Sequence, residues 1–155
     1  MKKEKYLSYC GLYCDLCGAR CRTPNKAKEL ADTLRHGEFE EWGPSFPEFN
    51  DFWKLLNQLA DVPEEKCCKT MKCGHPDCSI RKCAMQKELE TCAFCNEYPC
   101  EKITRFAKSE PLLIQDGYRI KEIGIKAWIS EQEKRKETGF AYDDVRCGKP
   151  DIPLG

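Results

Sequence analysis

Cysteine is the residue in this sequence best placed to do chemistry: thirteen occur, in two blocks from Cys10 to Cys21 and from Cys67 to Cys100, with Cys147 alone near the end. Two pairs, Cys14 with Cys17 and Cys92 with Cys95, are each separated by two residues. Such a gap lets the backbone turn back so that both sulfurs aim at one ion, and Gly18, directly after Cys17, is expected to supply the tight backbone. Two such pairs among clustered cysteines predict at least two four-thiolate sites holding at least two zinc ions. For the later site the spacing favours Cys92 and Cys95 with two of Cys78, Cys83 and Cys100. For the earlier one it favours Cys14 and Cys17, completed by Cys10 or by Cys68 and Cys73.

Other groups read more blandly. Side chains as close in sequence as Cys67 and Cys68 rarely point at one ion, so one of the two is expected to be spare. Cys21 and Cys147 are read as a small buried apolar residue and an exposed thiol. His75, between Gly74 and Pro76, is read as a solvated turn histidine ahead of a substitute ligand.

Zinc is favoured over an iron-sulfur cluster, the alternative cofactor. The gaps among Cys10, Cys14 and Cys17 match the iron-sulfur motif of radical S-adenosylmethionine enzymes, but those need a β/α barrel for which this chain is too short. An electron-transfer protein is the second reading, although the bacterial ferredoxin run is absent and Pro99 precedes Cys100 instead of following a last cysteine. Catalysis is not expected. His36 and His75 are the only histidines, neither sits in a recognisable dyad, and there is no glycine-rich phosphate loop. A closed zinc site offers water no open position, so the role expected is a binding or scaffold module for a protein or small ligand.

Compartment and charge narrow the field. No signal peptide precedes Cys10 and no window is apolar enough to span a membrane, so a cytoplasmic protein with reduced thiols and no membrane contact is expected. Lysine plus arginine equals aspartate plus glutamate at 26 each, which disfavours nucleic acid as a partner. An adaptor using the basic residues from Lys69 to Lys87 is a third, weaker reading. Zinc held by four thiolates is a dianion, and Lys69, Lys72, Arg81, Lys82, Lys87 and Lys102 are expected to offset it.

The elements that position these sulfurs read as helices. Ala27, Leu30, Ala31 and Leu34 repeat at helical spacing up to Gly37. Ser45 and Glu48 form a capping-box pattern ahead of Phe49, Phe52, Trp53, Leu56 and Leu59, and these two helices should pack together. Further helices are expected from Ser79 to about Lys87, from Pro99 through Ala107, and from Leu112 to about Lys136. Ser109 is expected to cap the last of these, which is one helix or two joined near Gly117 or Gly124. With two valines and no sustained alternation, a sheet is not expected. The fold class is therefore mainly α: one small helical domain over residues 1–155, with irregular Cys-rich zinc-knuckle loops, C-terminal helices at about 112–137 and a tail at 138–155.

Three motifs carry a family resemblance. They are Cys10-Gly11-Leu12-Tyr13-Cys14-Asp15-Leu16-Cys17, Cys78-Ser79-Ile80-Arg81-Lys82-Cys83-Ala84, and the run Cys92-Ala93-Phe94-Cys95-Asn96-Glu97-Tyr98-Pro99-Cys100-Glu101-Lys102. In order and content they resemble a cysteine-rich bacterial and archaeal domain-of-unknown-function family, number 3795, over residues 8 to about 107. The resemblance implies zinc ligation by Cys10, Cys14, Cys17, Cys78, Cys83, Cys92, Cys95 and Cys100, and no particular activity. Where the family often carries a cysteine pair with glycine between its first and central motifs, this chain has Cys67, Cys68 and then Cys73.

Overall fold

A computed structural model describes residues 3–63, 65–72 and 76–146. Among them the regular structure is helical, with no β-strand and one isolated antiparallel bridge between Leu7 and Tyr13. The mainly-α expectation holds. No described helix is long and apolar enough to cross a membrane.

The chain divides into two compact units. The smaller, Gly18–Glu64, starts with the single turn α1 (Gly18–Cys21) and continues with α2 (Thr23–His36), α3 (Phe39–Trp42) and α4 (Phe49–Ala60). Pro24 near the start of α2 sits where its missing N–H is not needed, and the helix ends at Gly37 as its sequence requires. Helices α2 and α4 pack together through Ala27, Ala31 and Leu34 on one side and Trp53, Leu56 and Ala60 on the other. The capping box proposed for α4 does not form. Ser45 closes a 3-10 turn and its hydroxyl donates back to the Trp42 carbonyl at 2.8 Å, while Glu48 occupies the N-cap position without a side-chain bond.

The larger unit, Met1–Cys17 with Glu65–Gly155, contains α5 (Ser79–Gln86), α6 (Glu101–Ala107), α7 (Leu113–Ile123) and α8 (Ile125–Glu137). Helix α6 opens one residue later than expected: Tyr98-Pro99 is a cis peptide and Cys100 takes the N-cap position. Ser109 caps nothing. Its hydroxyl donates to the Phe106 carbonyl, and α7 begins four residues later. The joint between α7 and α8 is Gly124, at φ 79° and ψ 162°. Gly117 lies inside α7, where the Tyr98 side chain lies across the helix and donates its hydroxyl to the Leu113 carbonyl at 3.0 Å.

The core of this unit forms around the N-terminal segment. Tyr6, Leu7, Tyr13 and Leu16 pack with Ile120, Trp128, Ile129 and Tyr142. Tyr13 meets Trp128 edge to face at 6.0 Å between centroids, its backbone N–H donates to the Tyr142 hydroxyl at 2.9 Å, and its own hydroxyl donates to Glu133 at 2.6 Å. A second cluster joins Ile80, Ala84, Cys92, Tyr98, Ile103 and Leu113. Cys14 and Cys67 belong to the first cluster and Cys92 to the second, while Cys68 packs against the first and Cys10, Cys78, Cys95 and Cys100 against the second.

Candidate metal centres

The two pairs with a two-residue gap fold alike. Each first cysteine opens a 3-10 turn, Cys14–Leu16 or Cys92–Phe94, behind an extended residue, Tyr13 or Thr91. Each second cysteine closes it with its own N–H on the carbonyl of the first, at 3.1 Å for Cys17 and 2.9 Å for Cys95. Gly18 is not the turn glycine. It begins α1, and the glycine the backbone needs is Gly11, at φ 106°, in the loop that the Ser8 N–H closes on the Leu12 carbonyl at 2.8 Å. Cys10 sits in that loop with the Ser8 hydroxyl 3.0 Å from its sulfur.

Cysteines far apart in sequence line common cavities. Cys83 on α5, Cys92 and Cys95 of the second turn, and Cys100 at the N-cap of α6 surround a cavity of about 20 Å³ whose apolar wall includes Leu89, Tyr98 and Ile103. That is room for roughly one water-sized species. Cys10, Cys14, Cys17, Cys68 and Cys78 line a second cavity of about 540 Å³, with Arg81, Lys102, Arg105 and Arg146 also on its walls. Among the described residues no three or more His, Cys, Asp or Glu side chains converge closely enough, as they stand, to hold an ion. No described cysteine is joined to another by a disulfide.

The remaining cysteines lie elsewhere. Cys67 is fully buried in the first core cluster, its sulfur 3.6 Å from the Thr70 hydroxyl. Cys21 is half-buried in the smaller unit, on α1. Cys73, His75 and Cys147 fall outside the described residues.

The electrostatics follow from crowding. Burial pushes the Cys92 thiol up to about 12, and Cys10, Cys100, Cys83 and Cys95 add to the shift because neighbouring thiolates repel. Burial likewise raises Cys10 to about 12, against hydrogen bonds from the Ser8 side chain and the Leu12 backbone. Burial raises Cys68 too, opposed by hydrogen bonding to the Tyr9 backbone and by the Arg81 guanidinium. Thiols held neutral in this way become ligands when a dication replaces their protons.

The basic residues singled out in the sequence differ in what they contact. Lys87 Nζ lies 3.6 Å from Cys95 Sγ and 2.5 Å from Glu97. Arg81 is buried and donates to the Pro76 carbonyl at 2.8 Å, Lys69 lies near enough to Cys68, Cys14 and Cys67 to interact with their charge, and Lys102 lines the larger cavity. Lys72 pairs with Glu65 and Lys82 with Asp77 instead. Sequence reasoning did not single out Arg105 or Arg146. Arg146 reaches the larger cavity while held by Glu110 at 2.7 Å and Asp143 at 2.6 Å, and it lies far along the sequence from the cysteines that line that cavity.

Residues 6–105 match the model of a protein family described as Protein of unknown function (DUF3795). No curated protein and no solved structure matches the chain.

Proposed function

We propose, for a chain that belongs to the DUF3795 family, that it is a thiolate metal-binding protein with two unlike centres in its larger unit. The first is a structural zinc site made by Cys83, Cys92, Cys95 and Cys100. The observation that carries this reading is four sulfurs from three separate segments around one cavity of about 20 Å³. A space that small suits a single ion enclosed by protein, and an enclosed four-coordinate zinc supports a fold without activating water. Side-chain rotation about χ1 is the movement that would draw the sulfurs onto the ion.

The second centre draws on Cys10, Cys14, Cys17, Cys68 and Cys78. Its cavity, about 540 Å³, exceeds what an ion fills and lies in the range of small-ligand sites. This is where a zinc-binding module would meet a small ligand. The same volume favours one second reading, an iron-sulfur cluster in this cavity and a role in electron transfer.

Anaerobic purification, elemental analysis and a visible spectrum test both readings. The zinc reading expects two zinc ions per chain, a colourless sample, and tetrathiolate bands when cobalt replaces zinc. Cys83→Ser and Cys95→Ser should each lose one zinc, Cys14→Ser and Cys17→Ser the other, and Cys21→Ser neither. A brown, iron-containing sample would move the second centre to the cluster reading. A sample without any transition metal would end the proposal.

A further inference from the structure

The smaller unit carries an apolar surface that its own fold does not use. Helix α4 has two adjacent apolar faces: Trp53, Leu56 and Ala60 turn toward α2, whereas Phe52, Leu55 and Leu59 are 40%, 55% and 40% exposed. Their spacing of three and then four residues puts them on one stripe. The stripe continues through aromatic contacts. Phe52 meets Phe39 at 6.0 Å between centroids, Phe39 meets Trp42 at 4.7 Å, and Trp42 meets Phe46 at 5.9 Å. Trp42 and Phe46 are themselves 50% and 53% exposed. Phe39, the ring that links them, is buried, so two exposed apolar patches, one on α4 and one at Trp42 and Phe46, flank a shared aromatic base, and large exposed side chains grouped in this way are uncommon in a chain with no use for them.

Charge around the stripe identifies what fits there. From Glu38 to Asp61 the sequence has six carboxylates, Glu38, Glu40, Glu41, Glu48, Asp51 and Asp61, against one cation, Lys54. All six are exposed, and Asp51 precedes Leu55 by one helical turn. A second copy of this chain would bring the same carboxylates against these, and an anionic lipid surface would be repelled in the same way.

We infer that this face docks an amphipathic helix of a partner protein, with leucine- or phenylalanine-type side chains on one stripe and lysine or arginine beside it. The stripe on α4 supplies the seam into which such a helix packs, and the carboxylates steer it and fix its orientation. The inference does not depend on the metal centres.

The test uses the full-length, metal-replete protein and two designed helical peptides with the same apolar stripe, one flanked by lysine and one by glutamate. Isothermal titration and tryptophan emission read binding. The lysine peptide should bind and weaken as salt rises, and the glutamate peptide should bind at least tenfold more weakly. Leu55→Ser with Leu59→Ser, both exposed positions, should weaken the lysine peptide at least tenfold with the circular dichroism unchanged. Glu41→Lys with Glu48→Lys should abolish the preference between peptides. Equal binding of both peptides, binding of neither, indifference to the leucine changes, or self-association of the protein through this face would each overturn the inference.

Discussion

At the scale of single residues, burial decides which groups are under stress. Asp116 is 1% exposed, and the Arg135 guanidinium contacts both of its oxygens at 3.2 Å and also donates to Gln132. Burial outweighs that pairing and raises the Asp116 carboxyl above the ordinary carboxylate range. The folded state therefore holds the proton more tightly than the unfolded chain does, and the ionised form carries a penalty. That penalty is complete above the folded pKa and disappears as pH falls below the unfolded value of about 3.9. Asp116→Asn should thus be more stable than the parent at neutral pH, with an advantage that shrinks toward pH ~4. Urea midpoints of both proteins at matched pH would check this, and an advantage that grew with acidity would contradict it. No sequence pattern announced this pair, since Asp116 and Arg135 lie on different helices and nothing local marks an aspartate as buried.

At the scale of elements, helices were legible because they depend on local periodicity. Those expected at Ala27 to Leu34, Phe49 to Leu59 and Ser79 to Lys87 are present as α2, α4 and α5. Their ends were less legible, because Ser45 and Ser109 each donate to a nearby carbonyl instead of accepting from a helix N–H. The choice between Gly117 and Gly124 as the joint was open in the sequence, since either glycine permits a break, and packing settled it. The two glycines now predict different failures. A Cβ at Gly117 would lie 1.9 Å from the Tyr98 hydroxyl oxygen, whereas one at Gly124 meets nothing within 4 Å but forces a side chain into φ 79°. Gly117→Ala should destabilise by about 1–3 kcal/mol or more through overpacking. Gly124→Ala should destabilise by about 1–3 kcal/mol through backbone strain alone. Tyr98→Phe in the Gly117→Ala background should recover part of the first loss and none of the second, as thermal melts would show.

Local backbone geometry also bears on how the cysteines divide. Cys78 is the extended N-cap residue ahead of α5, whereas Cys83 lies inside the helix, five positions on. They line different cavities, a partition that spacing alone left open among Cys78, Cys83 and Cys100. Cys67 and Cys68 diverge for a related reason. Cys67 is extended, at φ −143° and ψ 170°, so neighbouring side chains point to opposite sides; one enters the core and the other the larger cavity.

For the whole molecule, the two units predict unequal dependence on metal. The cysteine-lined cavities belong to the larger unit, while the smaller is held by the α2–α4 contact and its aromatic contacts. Structural zinc contributes roughly 10–16 kcal/mol in small peptides, against a total stability of about 5–15 kcal/mol for a typical domain. Chelation should therefore strip hydrogen-exchange protection from α5 and α6 first and leave α2 and α4 protected longer. Simultaneous loss in all four would show that metal supports both units equally, and no loss in any would refute a structural role for zinc.

The shared shape of the two cysteine turns has a consequence for how they can be exchanged. The backbone course is common to both, but Leu16 is fully buried while its counterpart Phe94 is 44% exposed. The tetrapeptides Cys14–Cys17 and Cys92–Cys95 therefore share a backbone turn and are specific to their sockets at both inner positions, because Asp15 pairs with Lys136 where Ala93 is fully buried in the core. A graft of Cys14–Cys17 into the second socket should fail at both inner positions, since it would put an aspartate where Ala93 is fully buried and a leucine where Phe94 is partly exposed.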